Sequence, residues 1–270
     1  MRLIGAILGD MIGAPFEFDR GDKTKDFELF TENTAFTDDT VMTIAVADAL
    51  LSVAEDAGEK EIKDAVVSSM LKWGAKYPNA GYGGAFAQWL HEPNPQPYGS
   101  WGNGAAMRIS PVAWMYSSLS RVVEVARWVT EVTHDHLEGI RGAEATVSAI
   151  YWAAEAGLDN IGSVKKKVER KYFYDLDRTC DEIRPTYYHV ESCQETVPQA
   201  IIAFLESTDF EDAIRNAVSL GGDSDTLACI TGSIAEAFYG GVPRELENEC
   251  LKRLTPDIID VLERFNAVCY

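Results

Sequence analysis

The chain has 270 residues, 46% of them hydrophobic and 25% charged, a balance that suits a soluble globular protein with a large core. Its formal charge of −19 argues against a nucleic-acid-binding face, which needs clustered Lys and Arg. The same charge repels phosphate-bearing ligands at long range, so metal ions, backbone amides or a few placed side chains would have to hold one.

Five cysteines (Cys180, Cys193, Cys229, Cys250 and Cys269) include no Cys-x-x-Cys pair. Cys229 and Cys250 fall in helical patterns where a small apolar residue would serve equally well. The pattern predicts free thiols in a reducing, cytoplasmic setting rather than a disulfide framework. No apolar run reaches the roughly 18–20 residues of a membrane span, and Asp10 interrupts the apolar N-terminus. A soluble, non-exported protein is expected.

Residues 3–14 alternate Gly and Ala with Leu and Ile, as in a helix packed closely on its neighbours. Gly5, Gly9 and Gly13 recur every four residues and so share one face. The segment ends at Pro15-Phe16-Glu17-Phe18, where two aromatics could desolvate Glu17 and raise its pKa. From the residues alone Glu17 reads first as an ordinary loop carboxylate. Residues 19–36 are charged and irregular and read as a surface loop.

Thr37-Asp38-Asp39-Thr40 then opens a helical run from Val41 to Ala54. Ile62, Val66, Met70 and Trp73 mark the next helix. Tyr77 to Gly84 is rich in turn residues, a short helix follows over 85–90, and three prolines exclude a regular element over 91–98. His91 reads as a loop residue.

Gly99-Ser100-Trp101-Gly102-Asn103-Gly104 is a Gly-rich loop that opens a helix. Its glycines let backbone approach a ligand, and free N–H groups at the helix start suit an anion. A tight turn explains the glycines equally well. The loop is neither a Walker loop nor a dinucleotide fingerprint. Helical patterns continue over 121–131 and 138–156, separated by Thr133-His134-Asp135-His136. Histidines at i, i+2 do not share a helix face, which disfavours a zinc pair.

Residues 160–171 read as a basic amphipathic helix, 172–193 as a surface excursion, and 199–206 and 209–218 as helices. Gly221-Gly222-Asp223-Ser224-Asp225-Thr226 follows and opens another apolar run, and two last helices end the chain. Asp, Ser and Thr are what helix N-termini prefer as caps. A cap uses one oxygen side chain, however, whereas this stretch and 37–40 each supply three. Adjacent carboxylates repel unless a cation lies between them, and hard divalent cations take oxygen ligands. Two such half-sites suggest one metal centre closed by the fold.

No segment shows sustained period-two alternation, so about a dozen helices and no sheet are expected. The apolar patterning runs without a linker. An all-α, compact multi-helix bundle forming a single domain over residues 1–270 is expected.

Gly5-Ala6-Ile7-Leu8-Gly9-Asp10-Met11-Ile12-Gly13, Thr37-Asp38-Asp39-Thr40, Gly102-Asn103-Gly104-Ala105-Ala106-Met107-Arg108, Thr133-His134 and Gly221 to Thr226 occur in the order found in ADP-ribosylglycohydrolases. The chain resembles that family over roughly residues 1–240. The resemblance implies an all-α fold with a cleft holding two Mg²⁺ ions, or Mn²⁺. Thr37, Asp38 and Asp39 would ligate from one side, and Asp223, Asp225 and Thr226 from the other. Glu17 matches a catalytic glutamate of the serine-specific branch, and Glu17 or Asp38 would move the proton. Gly99, Ser100, Trp101 and Gly102 belong to the loop that wraps the diphosphate, Asn103 matches a ribose contact, and His134 a histidine near the phosphate and adenosine. The implied reaction is metal-dependent hydrolysis at C1″ of ADP-ribose, releasing it from a protein side chain, a nucleobase or a small ester. A monomer is the simplest expectation, with no membrane partner and no basic face for nucleic acid.

Two other readings remain at this point. One is a non-catalytic ADP-ribose-binding or structural member of the same fold. The other, more remote, takes Asp223-Ser224-Asp225-Thr226 as the nucleophile motif of a haloacid-dehalogenase-type phosphatase, which should end a buried strand.

Overall fold

A computed structural model describes residues 1–158 and 160–269. Among these residues, fifteen α-helices follow one another. The first half holds α1 (Ile4–Gly13), α2 (Asp38–Leu51), α3 (Glu59–Lys76), α4 (Gly84–Trp89), α5 (Gly104–Met107), α6 (Ser110–Met115) and α7 (Leu119–Glu131). The second holds α8 (Leu137–Ala156), α9 (Ile161–Tyr172), α10 (Cys180–Ile183), α11 (Cys193–Leu205), α12 (Phe210–Ser219), α13 (Ser224–Phe238), α14 (Arg244–Leu251) and α15 (Pro256–Asn266). The protein is all-α: the described residues form no strand, only an isolated bridge between Gly102 and Ser192.

The glycine stripe of α1 explains the centre of the fold. A Cβ on Gly5 would lie 2.3 Å from the Gly232 carbonyl, one on Gly9 2.0 Å from that of Ala228, and one on Gly13 2.4 Å from that of Ser224. Only hydrogen fits, so α1 lies directly on the backbone of α13. Both helices are buried along their whole length. Around this pair, the buried faces of α2, α8, α11 and α12 join one hydrophobic cluster. Burial of that cluster supplies the main driving force, at about 25 cal/mol per Å² of apolar surface.

Local boundaries differ from the sequence expectation where capping decides them. α2 starts at Asp38, three residues earlier than the apolar pattern, because the Thr37 side chain accepts from the Asp39 N–H and both aspartates fall in the first turn. The 172–193 excursion contains α10, held by a reciprocal capping box between Thr179 and Glu182. The basic helix α9 has a buried side as well, formed by Val164, Val168 and Tyr172.

All five cysteines are free. Among the described residues no helix is long and apolar enough to cross a membrane. The dehalogenase-type alternative falls, because Asp223 precedes a helix in an all-α chain rather than ending a strand.

Candidate metal and substrate cleft

Two helix starts build the site. At the first, Asp10 of α1 takes the Thr37 N–H at 2.9 Å and the Thr37 hydroxyl at 2.7 Å. It also takes the Thr40 N–H at 3.0 Å and the Thr40 hydroxyl. Asp10 is fully buried, and its bonds clamp the first turn of α2 to α1. Sequence reasoning gave Asp10 no role of its own beyond a break in an apolar run and a place in a family motif. A carboxylate inside an otherwise apolar helix was the signal that could have found it.

At the second start, Gly221 and Gly222 adopt φ of +76° and +72°, turning the chain so that Asp223 and Asp225 face the first half-site. The segment carrying Glu17 is strapped to this turn. Phe18 N–H donates to the Gly222 carbonyl at 3.0 Å, and Asp19 accepts from Gly222 N–H at 2.8 Å. Phe18 and Asp19 hold left-handed φ of 60° and 56°, unusual for residues with side chains.

Both half-sites open into one cleft of about 350 Å³, bordered by Glu17, Asp38, Asp39, Asp223, Asp225 and Thr226. Carboxylate oxygens of Glu17, Asp223 and Asp225 lie within 4.8 Å of one another. Desolvation and the charges of Asp10, Asp38 and Asp223 push Asp39 well above the usual carboxylate range. Desolvation and the neighbouring aspartates Asp223 and Asp39 do the same to Asp225. Desolvation raises Asp38 to about 7, with Arg108 opposing the rise and Asp10 adding to it. Glu17 is raised to about 7, first by desolvation and then by Asp223. Asp39 Oδ1 is buried and has no hydrogen-bond partner. An all-oxygen donor set, crowded with like charge and holding an unmet carboxylate oxygen, fits a hard divalent cation. A wider hollow of about 440 Å³ beside Glu55, Tyr116 and Arg121 lies elsewhere on the surface. Among the described residues the group of three or more metal-ligating side chains is in the cleft, not there.

Not every anticipated residue lines this cleft. Ser100, Gly102, Asn103 and His134 do; Thr37, Gly99 and Trp101 do not. Gly99 N–H donates to Asp135 at 2.6 Å, and the 51%-exposed Trp101 lies beside His136, ring centroids 5.4 Å apart. The Asn103 amide donates to Asp223 at 2.7 Å and to Thr196 at 3.1 Å, so it ties the Gly-rich loop to the acidic turn. His134 is buried, and desolvation followed by Arg108's charge holds its pKa well below the usual value. His136 instead caps α8, accepting from Glu138 N–H at 3.1 Å. The helix expected to follow the loop is α5, only four residues long. Its N-terminus is too brief to act as an anion site by dipole alone. Sequence reasoning missed Tyr82, Phe86, Tyr98 and Arg108, which complete the wall.

Fold and cleft together define an all-helical protein that presents facing carboxylates from the starts of two helices. The chain matches the ADP-ribosylglycohydrolase family over residues 2–269, and it belongs to that family. It is similar to the ADP-ribosylhydrolase ARH3 of Bos taurus, 28% identical, the match covering 92% of this chain and 87% of the relative. The human ARH3 is 27% identical, with the same coverage of 92% and 87%. The ADP-ribosylarginine hydrolase Tri1 of Serratia proteamaculans (strain 568) is 24% identical, covering 88% of this chain and 70% of that one. Among solved structures, an ADP-ribosylglycohydrolase-related protein complex shares the fold, with a TM-score of 0.70 at 20% identity, covering 98% and 95% of the two chains.

Proposed function

We propose that the protein is a metal-dependent hydrolase of the glycosidic bond at C1″ of ADP-ribose, releasing ADP-ribose from a modified acceptor. The observation that carries the reading is the meeting of Asp38, Asp39, Asp223, Asp225 and Glu17 in one cleft that also presents Ser100, Asn103 and His134. Family membership and the names of the relatives support the chemistry.

Thr37, Asp38, Asp39, Asp223, Asp225 and Thr226 would hold two Mg²⁺ ions, with Mn²⁺ as the other candidate. Once bound, the ions would polarise ribose hydroxyls and make a nearby water more acidic. Thr37 would have to ligate with the one lone pair its hydroxyl keeps after donating to Asp10 and accepting from the Asp39 N–H. Glu17 stands at the cluster's edge with its pKa about 7, which suits a group that accepts a proton from attacking water at neutral pH. Asp38, also about 7, is the second candidate for that role. Asn103 and Asp223 hold each other, so that loop and acidic turn keep their spacing as the ribose enters. Buried free cysteines suit a reducing compartment such as the cytoplasm.

The test is release of free ADP-ribose from ADP-ribosyl-arginine, ADP-ribosyl-serine and ADP-ribosylated nucleic acid, with Mg²⁺ and with chelator. Magnesium-dependent release from one of them establishes the enzyme and its acceptor. Binding of ADP-ribose without release from any would support the non-catalytic alternative.

A further inference from the structure

Arg108 has no role in the reading above, yet its position is unusual. It is 4% exposed, its Nε donates to the Gly104 carbonyl, and its Cζ sits 4.5 Å from the Phe86 ring centroid. Nη1 finds no partner. A buried guanidinium with an unmet N–H is costly unless something else compensates. Among the described residues, Arg108 is also the only lysine or arginine that lines the cleft.

The surroundings point away from the carboxylates as well as towards them. A Cβ on Gly104 would lie 2.6 Å from Arg108 Nη2 and 3.3 Å from His134 Nε2. A Cβ on Gly102 would lie 3.2 Å from Ser100 Oγ and 3.5 Å from His134 Nε2. The guanidinium, the imidazole and the hydroxyl therefore converge on the two glycines, and all three residues line the cleft. Ser100 Oγ accepts from Gly102 N–H at 3.1 Å, so its own proton is free to donate. Thr133 Oγ1 is 2.7 Å from His134 Nδ1, and a hydroxyl donating there leaves the ring proton on Nε2. Burial and the adjacent guanidinium keep the imidazole neutral near pH 7, which leaves Arg108 as the positive charge.

We propose that Arg108 is the cation that grips the phosphate oxygens of the ligand, on the stretch of cleft wall it shares with Ser100 and His134. The assignment rests on the ADP-ribose reading and names the residue by which a strongly acidic protein holds a diphosphate. A guanidinium suits the task because its planar fork pairs with phosphate through two N–H groups, whereas an ammonium is a point charge. The contrasting role is an internal counter-ion for Asp38 and Asp39 that never touches ligand.

Calorimetric titration of ADP-ribose, ADP and adenosine into wild type, Arg108→Met and Arg108→Lys, with Mg²⁺ present, separates these roles. Arg108→Met should weaken ADP-ribose and ADP by roughly 10- to 100-fold and leave adenosine within about twofold, the scale of a lost charged hydrogen bond. Arg108→Lys keeps the charge beside Asp38 and should recover part of the loss, which guards against a methionine variant that fails to fold. Unchanged ADP-ribose affinity in either folded variant overturns the proposal. Equal losses for ADP-ribose and adenosine overturn it too, since they mark a structural role. A wild type that binds neither ADP-ribose nor ADP removes the parent reading and this one together.

Discussion

The Thr226 hydroxyl donates to Asp39 Oδ2 at 3.3 Å, joining residues 187 positions apart and closing the seam between the two acidic half-sites. The other oxygen of Asp39 is buried and has no partner. A cation at this seam would satisfy it and offset the repulsion around it. Mg²⁺ at a hundred times its dissociation constant should stabilise the wild type by about 2.7 kcal/mol, on the order of 5 °C in melting temperature. Asp39→Asn should lose most of that gain, yet be at least as stable as wild type in chelator, because one of the crowded charges is gone. Thermal unfolding with Mg²⁺ and with chelator reads both. Equal Mg²⁺ gains in the two proteins would place the ion elsewhere.

Glu17 is the carboxylate whose ionisation should show in the rate. Desolvation and then the Asp223 charge raise it from 4.5 to about 7. As a base it works when ionised, so kcat should climb with pH along a limb below about 7, because the bound cation that activity requires favours the ionised form. Glu17→Gln should cut kcat by roughly 10²- to 10⁴-fold and abolish the limb. A rate that falls with pH over the same range would instead make Glu17 the acid.

The two acidic stretches and the Gly-rich loop were legible because each breaks a rule of plain helix starts: three oxygen side chains where a cap needs one, glycines where a single turn would do. The all-α class followed from periodicity. Asp10, Tyr82, Phe86, Tyr98 and Arg108 were not assigned roles, because their meaning lies in long-range contacts. Asp10 reaches Thr37 across 27 residues, and Arg108, just past the end of α5, lies over Phe86 of α4. Periodicity reports which face of a helix is apolar, not which neighbour it meets. Glu17 read as a loop carboxylate for the same reason: the strap beside it, from Phe18 N–H to the Gly222 carbonyl, spans most of the chain.

The glycine stripe makes a stability prediction independent of chemistry. Gly9→Ala would set its Cβ 2.0 Å from a backbone carbonyl of α13, so the central helix pair must separate. A loss of roughly 3 kcal/mol is expected. Gly162, in α9, has nothing within 4 Å of its would-be Cβ. Gly162→Ala should therefore gain about 0.5–1 kcal/mol from helix propensity. Urea unfolding measures both, and a neutral Gly9→Ala would mean that α1 and α13 can part without cost.

Glu236 of α13 predicts how stability depends on pH. It is fully buried, accepts from Gly5 N–H at 3.0 Å through Oε2, and has no partner for Oε1. Burial raises its pKa from 4.5 to about 7, opposed by the Gly5 hydrogen bond and more weakly by the amino terminus and Arg2. A carboxyl raised by folding favours the native state while neutral, so its contribution is complete below about 4.5 and is lost as pH climbs through about 7. The difference amounts to about 3 kcal/mol at most. Glu236→Gln keeps the acceptor for Gly5 and cannot ionise, so it should match wild type near pH 4.5 and exceed it by up to that amount at pH 8.5. The raised pKa values of Glu17 and Asp38 tilt both proteins alike and drop out of the comparison. Urea unfolding of the two proteins at pH 4.5, 6 and 8.5 decides the matter. Parallel stabilities across that range would mean that Glu236 is charged and compensated inside the fold, against the direction given by its burial.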